Sequence, residues 1–149
     1  MSSIRFTKMH GAGNDFVVID RLSGASLPDA ALARRLADRH FGIGCDQIMV
    51  IEAAADPAHA YAYRILNADG SSAGQCGNGA RCVARYLRER HDLADGALLD
   101  SPGGAVAVRF LADGAVEYLN RLLGQLGPQA AALERAARRL HARDRKSVV

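Results

Sequence analysis

The alternation of apolar and polar residues near the start of the chain predicts a β-hairpin. Ile4–His10 alternates loosely and Phe16–Asp20 is a compact run rich in β-branched residues, so both segments are predicted strands. Between them, Gly11–Asp15 has the composition of a turn. Because the turn is short, the two strands are expected to pair with each other.

Two later segments carry apolar residues at helical spacing. Asp29–His40 follows Pro28 and places leucines and alanines along one stripe, and Gly42 and Gly44 are expected to end that helix. Gly79–Arg90 is the clearest predicted helix, with its large apolar residues on one side.

The remaining apolar segments are short, are separated by polar or glycine-containing turns, and predict strands. They are Asp46–Glu52, Ala60–Leu66, Ala97–Ser101, Ala105–Phe110 and Ala115–Leu119. Strands with two interspersed helices and no regular β-α-β alternation favour an α+β or closed-sheet arrangement over a Rossmann fold.

The last part of the chain differs in character from the rest. From Arg121 onward it is rich in Ala, Arg and Leu, and an amphipathic stripe predicts a helix over Gln129–Arg143. Residues 1–120 carry a net charge of −2 and residues 121–149 a net charge of +5, so the basic balance belongs to the tail. Because no basic face is expected on the body, a nucleic-acid partner is not predicted.

Composition also limits the location of the protein. There is no run of 18 apolar residues, so no membrane-spanning helix is expected, and Met1–Lys8 lacks the apolar centre of a signal peptide. Cys45, Cys76 and Cys82 cannot all pair and match no zinc-ligand spacing. Reduced thiols in a cytoplasmic protein are therefore the simplest expectation.

The glycine-rich segment before the second helix is the best candidate for chemistry. In Asn67–Cys82, a cysteine, Cys76, lies in a polar loop that leads directly into the predicted helix. The free amides and the dipole at the start of a helix favour a thiolate there, and the same amides can bind a carboxylate. Such an arrangement suits removal of a proton from the α-carbon of an amino acid.

Two other interpretations of Cys76 are open on composition alone. Free cysteine is often an inert, buried apolar residue. A Cys/His hydrolase is the second alternative, because the chain contains several histidines, although no spacing singles one of them out.

Four ordered motifs resemble those of the diaminopimelate epimerase family. Asn67–Ser71 followed by Cys76–Cys82 is similar to the family signature around its cysteine. Phe6–Phe16 resembles the opening motif, Gly42–Gln47 the second motif, and Asp100–Gly104 the turn that follows the signature. The resemblance favours this family over the related proline racemases, which usually carry His where this chain has Asn78.

The resemblance implies both a fold and an activity. The expected fold is an α+β half-domain in which a curved mixed or antiparallel sheet wraps around the central helix. The expected activity is inversion of LL-diaminopimelate to the meso form, on the route to lysine and peptidoglycan precursors, without a metal or an organic cofactor. The partner that the resemblance implies is a small-molecule substrate, LL- or meso-diaminopimelate, and the family association that it suggests is a homodimer.

The resemblance also assigns site residues. Cys76 corresponds to one of two catalytic cysteines that face opposite sides of the substrate α-carbon. The expected substrate-binding residues are Asn14, Gln47, Asn67, Gly77 and Asn78. The other cysteines, Cys45 and Cys82, are expected to be structural, and Tyr61, Tyr63 and Tyr86 are expected to belong to the core.

The family pattern covers residues 1–118, and residues 119–149 form a tail outside it. No segment resembling the family's second cysteine motif follows, so an off-frame or truncated reading of the gene is expected, with little activity from this chain alone. The alternatives are a proline-racemase-like isomerase, a short paralogue with another role, or a non-catalytic ligand-binding fragment.

Overall fold

A mixed sheet wraps around one helix in the computed structural model, which describes residues 3–120. In this range the strands are β1 (Thr7–Gly11), β2 (Asn14–Asp20), β3 (Gln47–Ala53), β4 (Tyr61–Asn67), β5 (Leu98–Ser101), β6 (Gly104–Phe110) and β7 (Val116–Asn120). The helices are α1 (Ala30–Ala37) and α2 (Gly77–His91), with a 3-10 turn at Arg21–Ser23. The predicted tail helix over Gln129–Arg143 lies outside the described residues.

The strands lie in the sheet in the order in which they occur along the chain. The predicted hairpin is confirmed, since β1 and β2 are antiparallel, as are the pairs β3–β4, β5–β6 and β6–β7. The pairs β2–β3 and β4–β5 are parallel. The expected class, an α+β domain with a curved mixed sheet around a central helix, is therefore correct.

Regular β-α-β alternation is absent, as expected, but two single β-α-β crossovers are present. Helix α1 connects the parallel strands β2 and β3, and helix α2 connects the parallel strands β4 and β5. Because an antiparallel pair separates the two crossovers, they do not repeat as in a doubly wound sheet. Long irregular segments beside each helix also conceal the alternation in the sequence.

The principal core lies between α2 and the concave face of the sheet. Ala80, Val83, Ala84 and Leu87 of α2 are buried against inward-facing side chains from every strand. Those side chains are Met9, Phe16, Val18, Met49, Ile51, Tyr63, Ile65, Leu99, Val106, Val108 and Val116. Alternate residues of a strand point to opposite faces, so this set follows the period-two pattern of the sequence.

Helix α1 covers the opposite, convex face. Ala33 and Ala37 pack there on a second cluster from β2, β3 and β4. Strand β2 is therefore buried on both faces, which explains its continuous apolar run. The helix is three residues shorter at its end than predicted, because the Asp38 carboxylate accepts hydrogen bonds from the backbone of His40 and Phe41 and turns the chain.

Helix α2 begins two residues earlier than predicted, at Gly77, which makes Cys76 its N-cap residue. Gly79 in its first turn lies directly on the sheet, where a Cβ atom would be 2.7 Å from Met49 Cε. The close packing fixes the start of the helix relative to β2 and β3. Within residues 3–120, no helix combines the length and the apolar composition needed to cross a membrane.

Candidate active site

Cys76 lies at the start of α2 with its sulfur directed at the helix backbone. Its conformation is extended, and Sγ accepts a hydrogen bond from the Gly79 amide at 3.4 Å. The sulfur thereby takes the place that a serine or aspartate oxygen takes in a common N-cap. The side chain is partly exposed, unlike those of the other two cysteines. The predicted position of the thiol at the mouth of the central helix is therefore correct.

The expected site residues converge on one end of the sheet. Asn14 and Gln47 begin β2 and β3, Asn67 ends β4, and Gly77 and Asn78 begin α2. The parallel and antiparallel pairings bring these ends together, since Gln47 pairs with Phe16 on one side and with Asn67 on the other. All five residues, like Cys76, are half-buried, which is the exposure expected for the lining of a cleft.

Two hydrogen-bonded groups of amides organise these side chains. Asn78 Nδ2 donates to Asn14 Oδ1 at 2.8 Å, and Asn14 Nδ2 donates to Asp46 Oδ2 at 3.2 Å. Separately, Gln47 Nε2 donates to Asn67 Oδ1 at 2.9 Å. The amides are therefore held in place by one another and by an acid, rather than being free turn residues.

A charged cluster behind Asn14 was not predicted from the sequence. Arg39 donates to both oxygens of Asp15, over 3.0 and 2.7 Å, and Lys8 Nζ approaches the same carboxylate at 2.7 Å. Arg39 also bonds Asp46 at 2.9 Å. The Arg39 guanidinium holds the pKa of Asp15 well below its usual range, against an opposing effect of burial and with help from Lys8. The cluster joins the opening motif to the second motif, and no spacing within either motif reveals that contact.

Two tyrosines lie close to the start of α2. A Cβ atom at Gly77 would be 2.7 Å from Tyr118 Oη, so glycine is what allows the Tyr118 ring to lie against the helix start. Tyr63 is buried close to both Cys76 and Tyr118, and burial raises its pKa, although a hydrogen bond with Ser101 opposes that rise. Tyr63 was expected to be core; it is, but it also lies near the candidate thiol.

The turn between β5 and β6 supports the loop that carries Cys76. A Cβ atom at Gly103 would overlap the Gln75 side chain, so Gln75 packs directly on the backbone of this turn. Ser101 Oγ closes the turn by accepting from the Gly103 amide at 3.2 Å and donating to the Gly104 carbonyl at 2.6 Å. The Asp100–Gly104 motif therefore has a physical connection with the residue that precedes Cys76.

The other cysteines are structural, as expected. Cys82 and Cys45 are both buried and neither forms a disulfide. Burial raises the pKa of Cys82 to about 11. Burial also raises the pKa of Cys45. Both thiols are therefore poor candidates for acid–base chemistry near neutral pH.

The histidines give no support to a Cys/His hydrolase. His59 Nδ1 is 2.6 Å from Asp100 Oδ1, and His91 Nε2 is 2.7 Å from Asp20 Oδ2. Among residues 3–120 no histidine forms a hydrogen bond with Cys76. In the same range, no three His, Cys, Asp or Glu side chains are grouped so that they could hold a metal ion.

Known structures share this fold at low sequence identity. A hydroxyproline epimerase from Agrobacterium vitis, with bound trans-4-hydroxy-L-proline, superimposes with a TM-score of 0.58 at 16% identity, over 77% of this chain and 40% of that one. A probable proline racemase from Agrobacterium radiobacter gives a TM-score of 0.59 at 18% identity, over 78% of this chain and 41% of its own. These similarities support the fold.

Sequence comparison is more specific. Curated diaminopimelate epimerases from Xanthomonas axonopodis and Xylella fastidiosa are 61% and 59% identical to the chain over 109 residues, which is 72% of this chain. The chain spans only 38% of the length of each of these relatives. The family model described as diaminopimelate epimerase matches residues 6–120. The chain therefore belongs to the diaminopimelate epimerase family.

Proposed function

We propose that residues 6–120 provide one side of a diaminopimelate epimerase active site, with Cys76 as its acid–base group. The observation that carries the proposal is the position of Cys76 Sγ at the N-cap of α2, next to the Asn78–Asn14 pair. A second pair of amides, Gln47 and Asn67, belongs to the same end of the sheet. The neutral amides of these residues can donate hydrogen bonds to a carboxylate and accept them from an ammonium group.

In the proposed reaction, the Cys76 thiolate removes the α-proton of LL-diaminopimelate. The Cα–H bond breaks, an S–H bond forms, and the electron pair stays on the α-carbon and its carboxylate. The backbone amides of Gly77 and Asn78, at the start of α2, are placed to bind that carboxylate and stabilise the added charge. The side chains of Asn14, Gln47 and Asn67 hold the amino acid through neutral hydrogen bonds.

Inversion requires a second group that returns a proton to the opposite face of the α-carbon. Neither of the other cysteines can act in this way, because Cys45 and Cys82 are buried in the two cores. By resemblance to the family the second acid is also a cysteine, so we place it outside residues 3–120 and expect little epimerisation from the purified 149-residue chain. We also propose that the family domain spans residues 1–118 and that residues 119–149 form a tail outside it. We further propose that the protein acts in the cytoplasm as a homodimer.

The proposal is tested by ligand protection of Cys76. The purified chain is treated with iodoacetamide in the presence of meso-diaminopimelate, and alkylation of Cys76 is measured by mass spectrometry. Protection by diaminopimelate, but not by L-lysine, is expected. Protection by L-proline instead would overturn the assignment and favour the proline-racemase alternative.

Isotope exchange addresses the chemistry of the same site. The chain is incubated with LL-diaminopimelate in deuterated water, and deuterium at the α-carbon is measured, with Cys76→Ser as the control. Binding without any exchange above that of the serine variant would support a non-catalytic fragment. Rapid conversion to the meso form by the chain alone would refute our placement of the second acid.

A further inference from the structure

The asparagines beside Cys76 belong to a hydrogen-bonded chain with a cation at one end and a carboxylate at the other. Arg81 Nη2 donates to Asn78 Oδ1, Asn78 Nδ2 donates to Asn14 Oδ1 at 2.8 Å, and Asn14 Nδ2 donates to Asp46 Oδ2 at 3.2 Å. Every donor in this series is directed from the guanidinium toward the carboxylate. This series of hydrogen bonds links α2, β2 and the residue before β3.

The charged ends determine which way each amide is oriented. An asparagine amide can rotate by a half-turn and exchange its oxygen for its nitrogen, and the two orientations differ only in their hydrogen bonds. A guanidinium can only donate, and an ionised carboxylate can only accept. Rotating Asn78 would place its N–H groups against Arg81, and rotating Asn14 would place its oxygen against Asp46.

Asp46, at the acceptor end of this hydrogen-bond series, is itself held in place. Asp46 accepts from Arg39 at 2.9 Å and from the Asp15 amide at 3.1 Å, so its carboxylate is held in a fixed place. Arg81, at the other end, is only 3% exposed although it lies one turn from the positively polarised end of α2. A buried cation in that position is unfavourable unless hydrogen bonds compensate for it, and the bond to Asn78 is one of those that do.

We propose that Arg81 is a positioning residue that acts through Asn78 to fix the orientation of both asparagine amides for a substrate carboxylate. When this series of hydrogen bonds is formed, the side-chain nitrogens of Asn78 and Asn14 each use one N–H within it and retain one N–H for a ligand. The fixed orientation therefore presents hydrogen-bond donors, which suit a carboxylate. The identity of the ligand rests on the proposed function; the orientation of the amides does not.

The orientation is tested without any ligand, on the isotopically labelled 149-residue chain. The side-chain amide signals of Asn14 and Asn78 are assigned by NMR, and their hydrogen exchange is measured. In Arg81→Met we expect both to exchange roughly fivefold faster, the change that loss of about one net hydrogen bond produces. The matched control is Arg85→Met, which removes a partly exposed arginine of the same helix that pairs with Glu89 at 3.1 Å, and it should leave both signals unchanged.

A second variant keeps the result interpretable if Arg81→Met does not fold. Asn78→Asp retains an acceptor for Arg81 but has no N–H to donate to Asn14. Faster exchange is then expected at Asn14 alone. Unchanged exchange at Asn14 in both variants, with the fold intact by far-ultraviolet circular dichroism, would overturn the positioning role.

Titration with meso-diaminopimelate separates this inference from the proposed function. The wild-type Asn14 and Asn78 amide signals should shift on binding, and Arg81→Met should weaken the affinity roughly tenfold, an effect typical of losing a hydrogen bond to a charged group. If amide exchange is faster in Arg81→Met than in the wild type but diaminopimelate shifts neither signal, the proposed substrate is wrong and the role of Arg81 in orienting the amides is retained. If the ligand binds equally to wild type and Arg81→Met, the positioning role is refuted.

Discussion

Gly79 and Met49 lie so close together that no side chain fits between them. A Cβ atom at residue 79 would be 2.7 Å from Met49 Cε and 2.8 Å from its sulfur. Met49 is completely buried in the core between α2 and the sheet. The close packing of Gly79 on Met49 therefore keeps the start of α2, and with it Cys76, near the sheet.

We predict that Gly79→Ala destabilises the protein by about 1–3 kcal/mol, because an added methyl group overpacks a filled core. Alanine gains up to about 1 kcal/mol in helix propensity, but that gain is smaller than the packing cost. Denaturant unfolding measures the difference. Gly74→Ala is the matched control, since a Cβ there meets no atom within 4 Å. Equal stability of the two variants would show that Met49 moves aside freely.

The Gly77–Tyr118 contact predicts a coupled pair of substitutions. Gly77→Ala should destabilise the chain, because its Cβ would lie 2.7 Å from Tyr118 Oη. In a Tyr118→Ala background the same change should cost less, with a coupling free energy of about 1 kcal/mol between neighbouring sites. A double-mutant cycle from denaturant unfolding gives this number. Additive effects would mean that the ring is not held against the helix.

The three cysteines should differ in reactivity. Cys76 is partly exposed, whereas Cys45 and Cys82 are buried with raised pKa values, that of Cys82 to about 11. We expect one thiol to react rapidly with a thiol reagent at pH 8 in the native chain and all three to react in denaturant. Cys76→Ser should remove the rapid phase. A second fast thiol in that variant would contradict the buried positions.

Arg39 should control stability in acid. It holds the Asp15 pKa well below the ordinary value of 3.8, so the ionised carboxylate stabilises the fold above that pH. The contribution is lost as the pH falls from about 4 toward the depressed folded pKa. We expect Arg39→Met to raise the acid-unfolding midpoint, whereas Arg85→Met leaves it unchanged. Identical acid-unfolding curves for wild type and Arg39→Met would contradict the role of this pair.

Local structure was largely predictable because burial follows the periodicity of each element. Helix α2 and the inward-facing residues of β2 and β3 recur at the spacing that the sequence predicts. Strand partners were not predictable from the same pattern. The parallel pairing of β2 with β3 and of β4 with β5 was not expected, because the irregular segments beside each helix hide the two crossovers in the sequence.

The residues of the candidate site were also only partly predictable from the sequence. The family resemblance indicated Cys76 and the amide side chains, but composition and periodicity alone would have left Asn14 and Asn78 as turn and loop residues. Their contact joins positions 64 residues apart. Arg81 was overlooked because a charged residue on a helix normally faces solvent, and here it is buried.

The sulfur of Cys76 closes the first turn of α2 by accepting a hydrogen bond from the Gly79 amide. In the reaction proposed above, each proton gained or lost by that sulfur would change how strongly it accepts this hydrogen bond, so the helix end would tighten and loosen with each cycle. The backbone amides of Gly77 and Asn78, which are proposed to bind the substrate carboxylate, are part of that same turn. If the proposed function is correct, a single hydrogen bond would link proton transfer at the thiol to binding of the substrate carboxylate.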